Sequence, residues 1–257
     1  MTKLSLTDCG SGDPIVFLHG FCESKEYWDI IAEPLSGTNR VVCIDLPGFG
    51  KSLHTSELSI EDMAEEVAKA LEKLEIGSFM LVGHSLGGYV SLALAENMPG
   101  FIKGLCLFHS TALPDSEEKK QQRNKTIKYL EENGVEAFIK PFVPPLFAPA
   151  NRKRCDGDIN KLIKTGLSTS IESIKNTTAA MRDRPDRTHV LSEAEYPVLF
   201  IIGKKDTTVK LEDILTQCHL PSESYVQFLG DTAHQGIFEK PQETLQMIHS
   251  FVRIVFG

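Results

Sequence analysis

Gly83-His84-Ser85-Leu86-Gly87-Gly88 follows directly on an apolar run at 79–82 and leads into a helix-like stretch at 89–95. A serine so placed stands at the peak of a strand-to-helix turn. The turn is too sharp for side chains two positions to either side, and Gly83 and Gly87 leave the backbone room there. The helix opening at Leu86 points its unpaired N–H groups and positive dipole end at the serine, which favours negative charge developing beside it. The spacing G-x-S-x-G alone recurs by chance; its strand and helix context is what singles out Ser85.

A serine hydroxyl is a poor nucleophile at neutral pH and needs a base, which in turn needs a carboxylate to hold its tautomer. Both must come to the C-terminal edge of the same sheet. Asp206 follows the strand candidate at 198–202 through Gly203-Lys204-Lys205, and His234 follows the one at 225–229 through Gly230-Asp231-Thr232-Ala233. Asp231 is the rival acid, set aside because Asp206 tops a strand. Acyl transfer also needs two backbone N–H donors for the carbonyl oxygen, each worth about 3 kcal/mol. The Leu86 N–H is one; the Phe21 N–H, in His19-Gly20-Phe21 after the run at 15–18, is the other. Gly20 lets that chain turn close to a substrate, and His19 reads as an anchor beneath it.

The remaining candidates have plainer readings. His54, His189, His219 and His249 lie in polar or helical stretches and read as surface residues. His84 reads as a packing residue inside the turn, and His109, ending the run at 105–108, as one that orients a loop. Asp45 precedes Leu46-Pro47-Gly48-Phe49-Gly50-Lys51-Ser52, a structural turn rather than a phosphate loop, since Gly48 and Gly50 are only two apart.

The chain of 257 residues is long enough for one well-buried core, and its 41% hydrophobic and 24% charged residues are those of an ordinary globular protein. No segment approaches about 20 consecutive apolar residues, so no membrane span is expected. Met1-Thr2-Lys3-Leu4-Ser5 lacks the apolar core of a signal peptide, and a cytoplasmic protein is expected. Cys9, Cys22, Cys43, Cys106, Cys155 and Cys218 are scattered without a C-x-x-C pair, which suits a reducing compartment and offers no metal site. A net charge of −8 argues against nucleic acid as a partner. That charge is uneven: residues 112–190 carry 15 Lys and Arg against 11 Asp and Glu, whereas the remainder carries 12 against 24. Nothing in the sequence sets an oligomeric state.

Apolar runs at 15–18, 41–44, 79–82, 105–108, 198–202 and 225–229 suit parallel strands covered on both faces. Helical patterns alternate with them at 27–35, 59–74, 89–97, 211–218 and 242–255. In the second, Ile60, Met63, Ala64, Val67, Leu71 and Leu74 recur at three- and four-residue steps, and Ser59 with Asp62 gives a capping-box-like start. The fold class is therefore α/β, a doubly wound, mostly parallel sheet. Alternation breaks from about 112, where helical segments are expected at 116–133, 135–140 and 159–182. The proline-rich run at 140–149 is expected to be an extended linker, since proline cannot donate inside a helix. Its Phe142, Val143, Leu146 and Phe147 either bury against the inserted helices or line a substrate pocket. The division is a core of 1–111 with 191–257 and an inserted helical cap of 112–190.

His19-Gly20-Phe21, Asp45 through Ser52, Gly83 through Gly88, Gly203 through Asp206 and His234 through Pro241 together resemble the α/β-hydrolase superfamily, in its order and over nearly the whole chain. The resemblance implies a helical cap inserted after the sixth strand. One departure stands out: only about a dozen residues precede Pro14, where many members have a two-strand hairpin, so the first strand is expected to be missing or short. A serine at position 85 argues against the haloalkane dehalogenases and epoxide hydrolases, which use aspartate.

The leading expectation is a serine hydrolase that cleaves a small carboxylic ester through an acyl-enzyme, needing no cofactor. A C–C bond hydrolase or lyase acting on an acidic metabolite is the alternative, with Arg123, Arg152, Lys153, Arg154, Arg182, Arg184 and Arg187 as receivers of the acid if they are not simply a solvated face. A ligand-sensing receptor that uses a hydrolase pocket, as some plant hormone receptors of the superfamily do, is the alternative of another class.

Overall fold

A computed structural model describes residues 4–52 and 58–257; His54 and Met1 to Lys3 lie outside the described residues. Seven strands, β1 (Leu6–Cys9), β2 (Pro14–Leu18), β3 (Arg40–Ile44), β4 (Phe79–His84), β5 (Ile102–Phe108), β6 (Val198–Gly203) and β7 (Ser224–Leu229), form one sheet in the order β1-β3-β2-β4-β5-β6-β7. All neighbours are parallel except β1, which runs antiparallel to β3. The six apolar runs of the sequence became β2 to β7. β1 is the strand that apolarity does not announce, because Leu6-Thr7-Asp8-Cys9 is an edge strand with two exposed residues. It stands alone where the resemblance implies a hairpin, so the insertion follows the fifth strand of this chain.

The helices of the core are α1 (Asp29–Leu35), α2 (Ile60–Lys73), α3 (Leu86–Asn97), α8 (Leu211–Leu215), α9 (Gly236–Glu239) and α10 (Pro241–Phe256), those between β5 and β6 are α4 (Glu117–Phe142), α5 (Asp156–Leu167) and α6 (Ile171–Asp183), and the short α7 (Thr188–Ser192) leads from them back to β6. α3 is apolar nearly all round because it is enclosed, lying on β2, β4 and β5 with α2 outside it. α10 packs on α1 and β5, and Gly104 makes room for it: a Cβ there would sit 2.5 Å from Val255. Strands β4 and β6 are buried at every position, as parallel strands with covered faces require. β7 ends the sheet with half its residues exposed, and Lys204 Nζ lies 5.6 Å from the centre of the outward-facing Phe228 ring.

The insertion departs from the sequence reading in two places. The run at 140–149 is not an extended linker: α4 continues through Pro141 to Phe142, and Pro144–Leu146 forms a 3₁₀ turn. Pro141 falls in the last turn, where the missing N–H costs a single bond, and the Val143 N–H still reaches the Ile139 carbonyl at 3.2 Å. The segment 159–182 is two helices, because Ser170 caps the second by accepting the Ser173 N–H at 3.1 Å. Within α4 the backbone leaves helical geometry at Gly134 (φ 79°, ψ 177°), where the two helical segments read from the sequence meet. Among the described residues no helix is long and apolar enough to cross a membrane.

At the start of α2 the capping box is complete: the Asp62 N–H reaches Ser59 Oγ at 3.0 Å and the Ser59 N–H reaches Asp62 Oδ2 at 2.9 Å. Ser59→Ala should therefore lower stability by about 1 kcal/mol, measured by urea unfolding, while leaving the sheet unchanged by circular dichroism.

Candidate active site

The ends of β4, β5, β6 and β7 deliver Ser85, His109, Asp206 and His234 to one edge of the sheet. Ser85 has φ 50° and ψ −111°, a conformation that side chains rarely adopt. It is pinned from both sides: its N–H reaches the Phe108 carbonyl at 3.0 Å, and its own carbonyl accepts Ser110 Oγ at 2.8 Å. The flanking glycines are obligatory. A Cβ on Gly83 would lie 2.4 Å from the Gly87 carbonyl, and one on Gly87 would lie 2.3 Å from the Leu18 carbonyl.

Asp206 is nearly fully buried and uses both oxygens. Oδ1 accepts the N–H groups of Thr208 and Val209 at 2.8 and 3.1 Å; Oδ2 accepts His234 Nδ1 at 2.7 Å and His109 Nδ1 at 3.2 Å. Burial opposes its charge, yet the imidazoles of His234 and His109 hold its carboxyl well below the usual carboxylate range. Asp231, the rival acid, is exposed. The loop bearing His234 is tied down by Glu239, which accepts the Ala233 N–H at 2.8 Å and the Ala148 N–H at 2.9 Å.

His109 is more than the loop-orienting residue of the sequence reading. It too has a positive φ, 48°, and it donates to the same carboxylate oxygen as His234. Burial lowers its pKa to about 4, so it is neutral at pH 7. A lone histidine at a strand end gives no sequence signal of this second bond, which only the parallel register of β5 beside β6 creates. The nitrogens and oxygen of His109, Asp206 and His234 all lie within 4.8 Å of one another. Both rings, however, stand at hydrogen-bonding distance from one oxygen, the spacing of N–H donors rather than of ligands around a cation.

His19 is an anchor: its Nε2 accepts the Leu46 N–H at 2.9 Å and its Nδ1 donates to the Gly20 carbonyl at 2.8 Å. The turn after Asp45 is structural, since the buried Asp45 carboxylate binds Lys25 and the Lys51 N–H. The Gly20 N–H reaches Glu23 Oε2 at 2.7 Å, and Glu23, which the sequence reading passed over, also contacts His84 Nδ1 at 3.0 Å and Gln235 Nε2 at 3.0 Å. One carboxylate thus ties together the loop of Phe21, the turn of Ser85 and the loop of His234.

Ser85, His234 and Phe21 line a cavity of about 420 Å³ roofed by α4 and the turn after it. Leu86, first residue of α3, is buried behind Ser85. Of the four apolar residues expected to bury or line a pocket, Phe142 and Leu146 line it, whereas Val143 and Phe147 turn away into the core, Phe147 stacking on Phe238 at 6.3 Å. Phe21 meets Phe142 at 6.0 Å and Phe138 at 6.5 Å, so the roof rests on the loop beneath it.

The basic residues of the insertion are largely spent on internal pairing. Arg123 and Arg184 share Asp115 at 2.9 and 2.7 Å, Arg182 binds Asp183, Arg187 binds Glu61 and Glu96, and Arg152 and Arg154 reach the carbonyls of Phe147 and Glu239. Of the seven cations considered, Arg123 alone lines the cavity.

A mostly parallel sheet that brings a strained serine and a buried His–Asp pair to one cavity at its strand ends defines a class of α/β protein. The chain belongs to the alpha/beta hydrolase fold family, whose pattern it matches over residues 13–241. It is similar to the sn-1-specific diacylglycerol lipase ABHD11 of Danio rerio, 27% identical over 95% of this chain and 80% of that one. The 2-succinyl-6-hydroxy-2,4-cyclohexadiene-1-carboxylate synthase of Salmonella enteritidis PT4 is 24% identical over 93% of this chain and 94% of its own. Among solved structures, the malate-bound thermophilic esterase of Thermogutta terrifontis superposes with a TM-score of 0.93 at 28% identity, covering 99% of this chain and 94% of that one.

The burial of His109 has a consequence for stability. In the unfolded chain it takes a proton as the pH falls through about 6.5, whereas in the folded protein it does so only near 4. Between these values the unfolded state binds more protons, so stability drops as the pH is lowered. His109→Asn, whose side chain tolerates positive φ, should lose less stability than wild type between pH 7 and pH 4.5, by about 2 kcal/mol in urea unfolding.

Proposed function

We propose that this protein is a serine hydrolase that cleaves small carboxylic esters through an acyl-enzyme intermediate. The observation that carries the reading is the 2.7 Å bond from His234 Nδ1 to Asp206, made beside a cavity that Ser85 and His234 both line. With Nδ1–H committed to the carboxylate, Nε2 is the free base, and the ionised Asp206 stabilises the imidazolium formed when the Ser85 proton is taken. Ser85 Oγ then attacks the ester carbonyl. The Phe21 and Leu86 N–H groups are assigned to the oxyanion, the latter reinforced by the N-terminus of α3. Expulsion of the alcohol, protonated by His234, leaves the acyl-enzyme, and water activated by the same histidine releases the acid. No cofactor enters this sequence of steps.

A cavity of about 420 Å³ suits a small substrate, and Phe138, Pro141 and Phe142 of α4 with Leu146 and Met181 give it an apolar portion beside the polar Gln122, Arg123 and Thr126. The lipase and esterase relatives support ester chemistry. Likeness to the synthases, together with Arg123 on the cavity wall, is what supports a lyase or C–C hydrolase acting on an acid; the Asp115 partner of that arginine weighs against it. We take residues 112–190 as the cap and assign the protein to a reducing compartment such as the cytoplasm, in keeping with its unpaired cysteines.

Hydrolysis of p-nitrophenyl esters from acetate to palmitate should peak on short acyl chains. Ser85→Ala should lower kcat/KM by about 10⁴-fold or more and abolish covalent labelling by a fluorophosphonate. Labelling that survives the substitution would remove Ser85 as the nucleophile.

A further inference from the structure

His84 is bracketed by acceptors. Its Nε2 lies 3.1 Å from the His234 carbonyl oxygen, which has no proton to give, so Nε2 must carry one. Its Nδ1 lies 3.0 Å from Glu23 Oε2, an oxygen that also accepts the Gly20 N–H at 2.7 Å, while Oε1 accepts Gln235 Nε2 at 3.0 Å. With an N–H donor already on each oxygen, and the Gly20 N–H at 2.7 Å on the one that faces the ring, Glu23 has the donor set of an ionised carboxylate and accepts from Nδ1 as well. Turning the ring over would set carbon atoms against both oxygens. A third observation comes from the ring face: Tyr27 stacks on His84 with centroids 4.6 Å apart and planes 9° from parallel, the arrangement in which an aromatic face meets a cation.

We infer that His84 is a buried imidazolium, protonated on both ring nitrogens and held by Glu23, the His234 carbonyl and the Tyr27 ring, and that it is a positioning residue for His234. The second part rests on the ester-hydrolase reading; the first does not. The groups facing the ring are Glu23, Tyr27, Phe108, His109 and His234, with His19 close enough to feel its charge. His19 is neutral by its own two bonds, and His109 is neutral at pH 7. The charge of His84 therefore cancels that of Glu23, leaving Asp206 as the carboxylate that acts on the His234 ring, whose centroid is 4.9 Å from that of His84. Its hydrogen bond also fixes the main chain from which the His234 imidazole hangs.

The test begins with wild-type protein labelled with ¹⁵N and ¹³C at pH 7.5, the His84 ring being assigned by correlation to its own backbone. Both ring nitrogens should show a directly bonded proton; one bare nitrogen would overturn the inference. This measurement needs neither a variant nor turnover. The positioning role is read from kcat/KM against pH on p-nitrophenyl butyrate. In His84→Gln, which still donates to the His234 carbonyl, Glu23 is left uncompensated and favours protonated His234. The acid limb should move up by about one pH unit, and the double variant Glu23→Gln/His84→Gln should bring it back. A limb that stays in place in a folded His84→Gln would remove the positioning role, and wild type that hydrolyses no ester would count against the ester-hydrolase reading while leaving the ring protonation to the spectrum.

Discussion

A serine main chain at φ 50° and ψ −111° is held away from its preferred geometry at a cost of about 1–3 kcal/mol, and the surrounding structure is arranged to keep it there. The Leu18 carbonyl lies where a Cβ on Gly87 would stand, so β2 and α3 meet at closest approach just beneath the turn. The Phe108 carbonyl and the Ser110 hydroxyl clamp the serine from β5. Because β2, β4 and β5 are parallel neighbours, these clamps all come from strand ends on one edge. The same register sets Asp206 and His234 alongside, so the sheet order that buries the strands also assembles the polar site.

Much of this is visible in the residues themselves. The strands β2 to β6 are written as uninterrupted apolar runs and the half-exposed β7 as a run broken by Gln227, Ser59 and Asp62 announce the start of α2, and glycines at 83 and 87 mark a turn that admits no side chain. Ser85, Asp206 and His234 could be proposed together because each follows a strand, a local signal. What escaped detection is what only packing creates. The second bond to Asp206 from His109 depends on the lateral neighbour of β6, and Glu23 becomes a hub through partners at positions 20, 84 and 235. β1 escaped because an edge strand can be half polar. Pro141 misled because its position relative to a helix end, rather than its identity, decides whether the helix survives it.

Two of the carboxylates buried at this edge of the sheet, Asp206 and Glu23, are treated differently. Asp206 takes two backbone N–H groups on one oxygen and two imidazoles on the other, so its lone pairs are filled without a full positive partner being required. Glu23 sits among one backbone N–H, one side-chain amide and one imidazole stacked on tyrosine. Burying either alone would cost several kcal/mol; distributing donors around each is what makes a polar floor compatible with an apolar roof. Phe21, in contact with both, joins the two: its backbone belongs to the floor and its ring to the cluster of Phe138 and Phe142.

The outer face of β7 bears on how the protein behaves in a crowded solution. An edge strand presents free backbone donors and acceptors, and an exposed phenylalanine on it would make that edge a template for another chain. Here the ammonium of Lys204 hovers over the Phe228 ring. A second strand approaching this edge would have to strip water from that charge before it could pair, so the sheet carries its own deterrent to growth by strand addition at the point where its hydrogen-bond ladder ends.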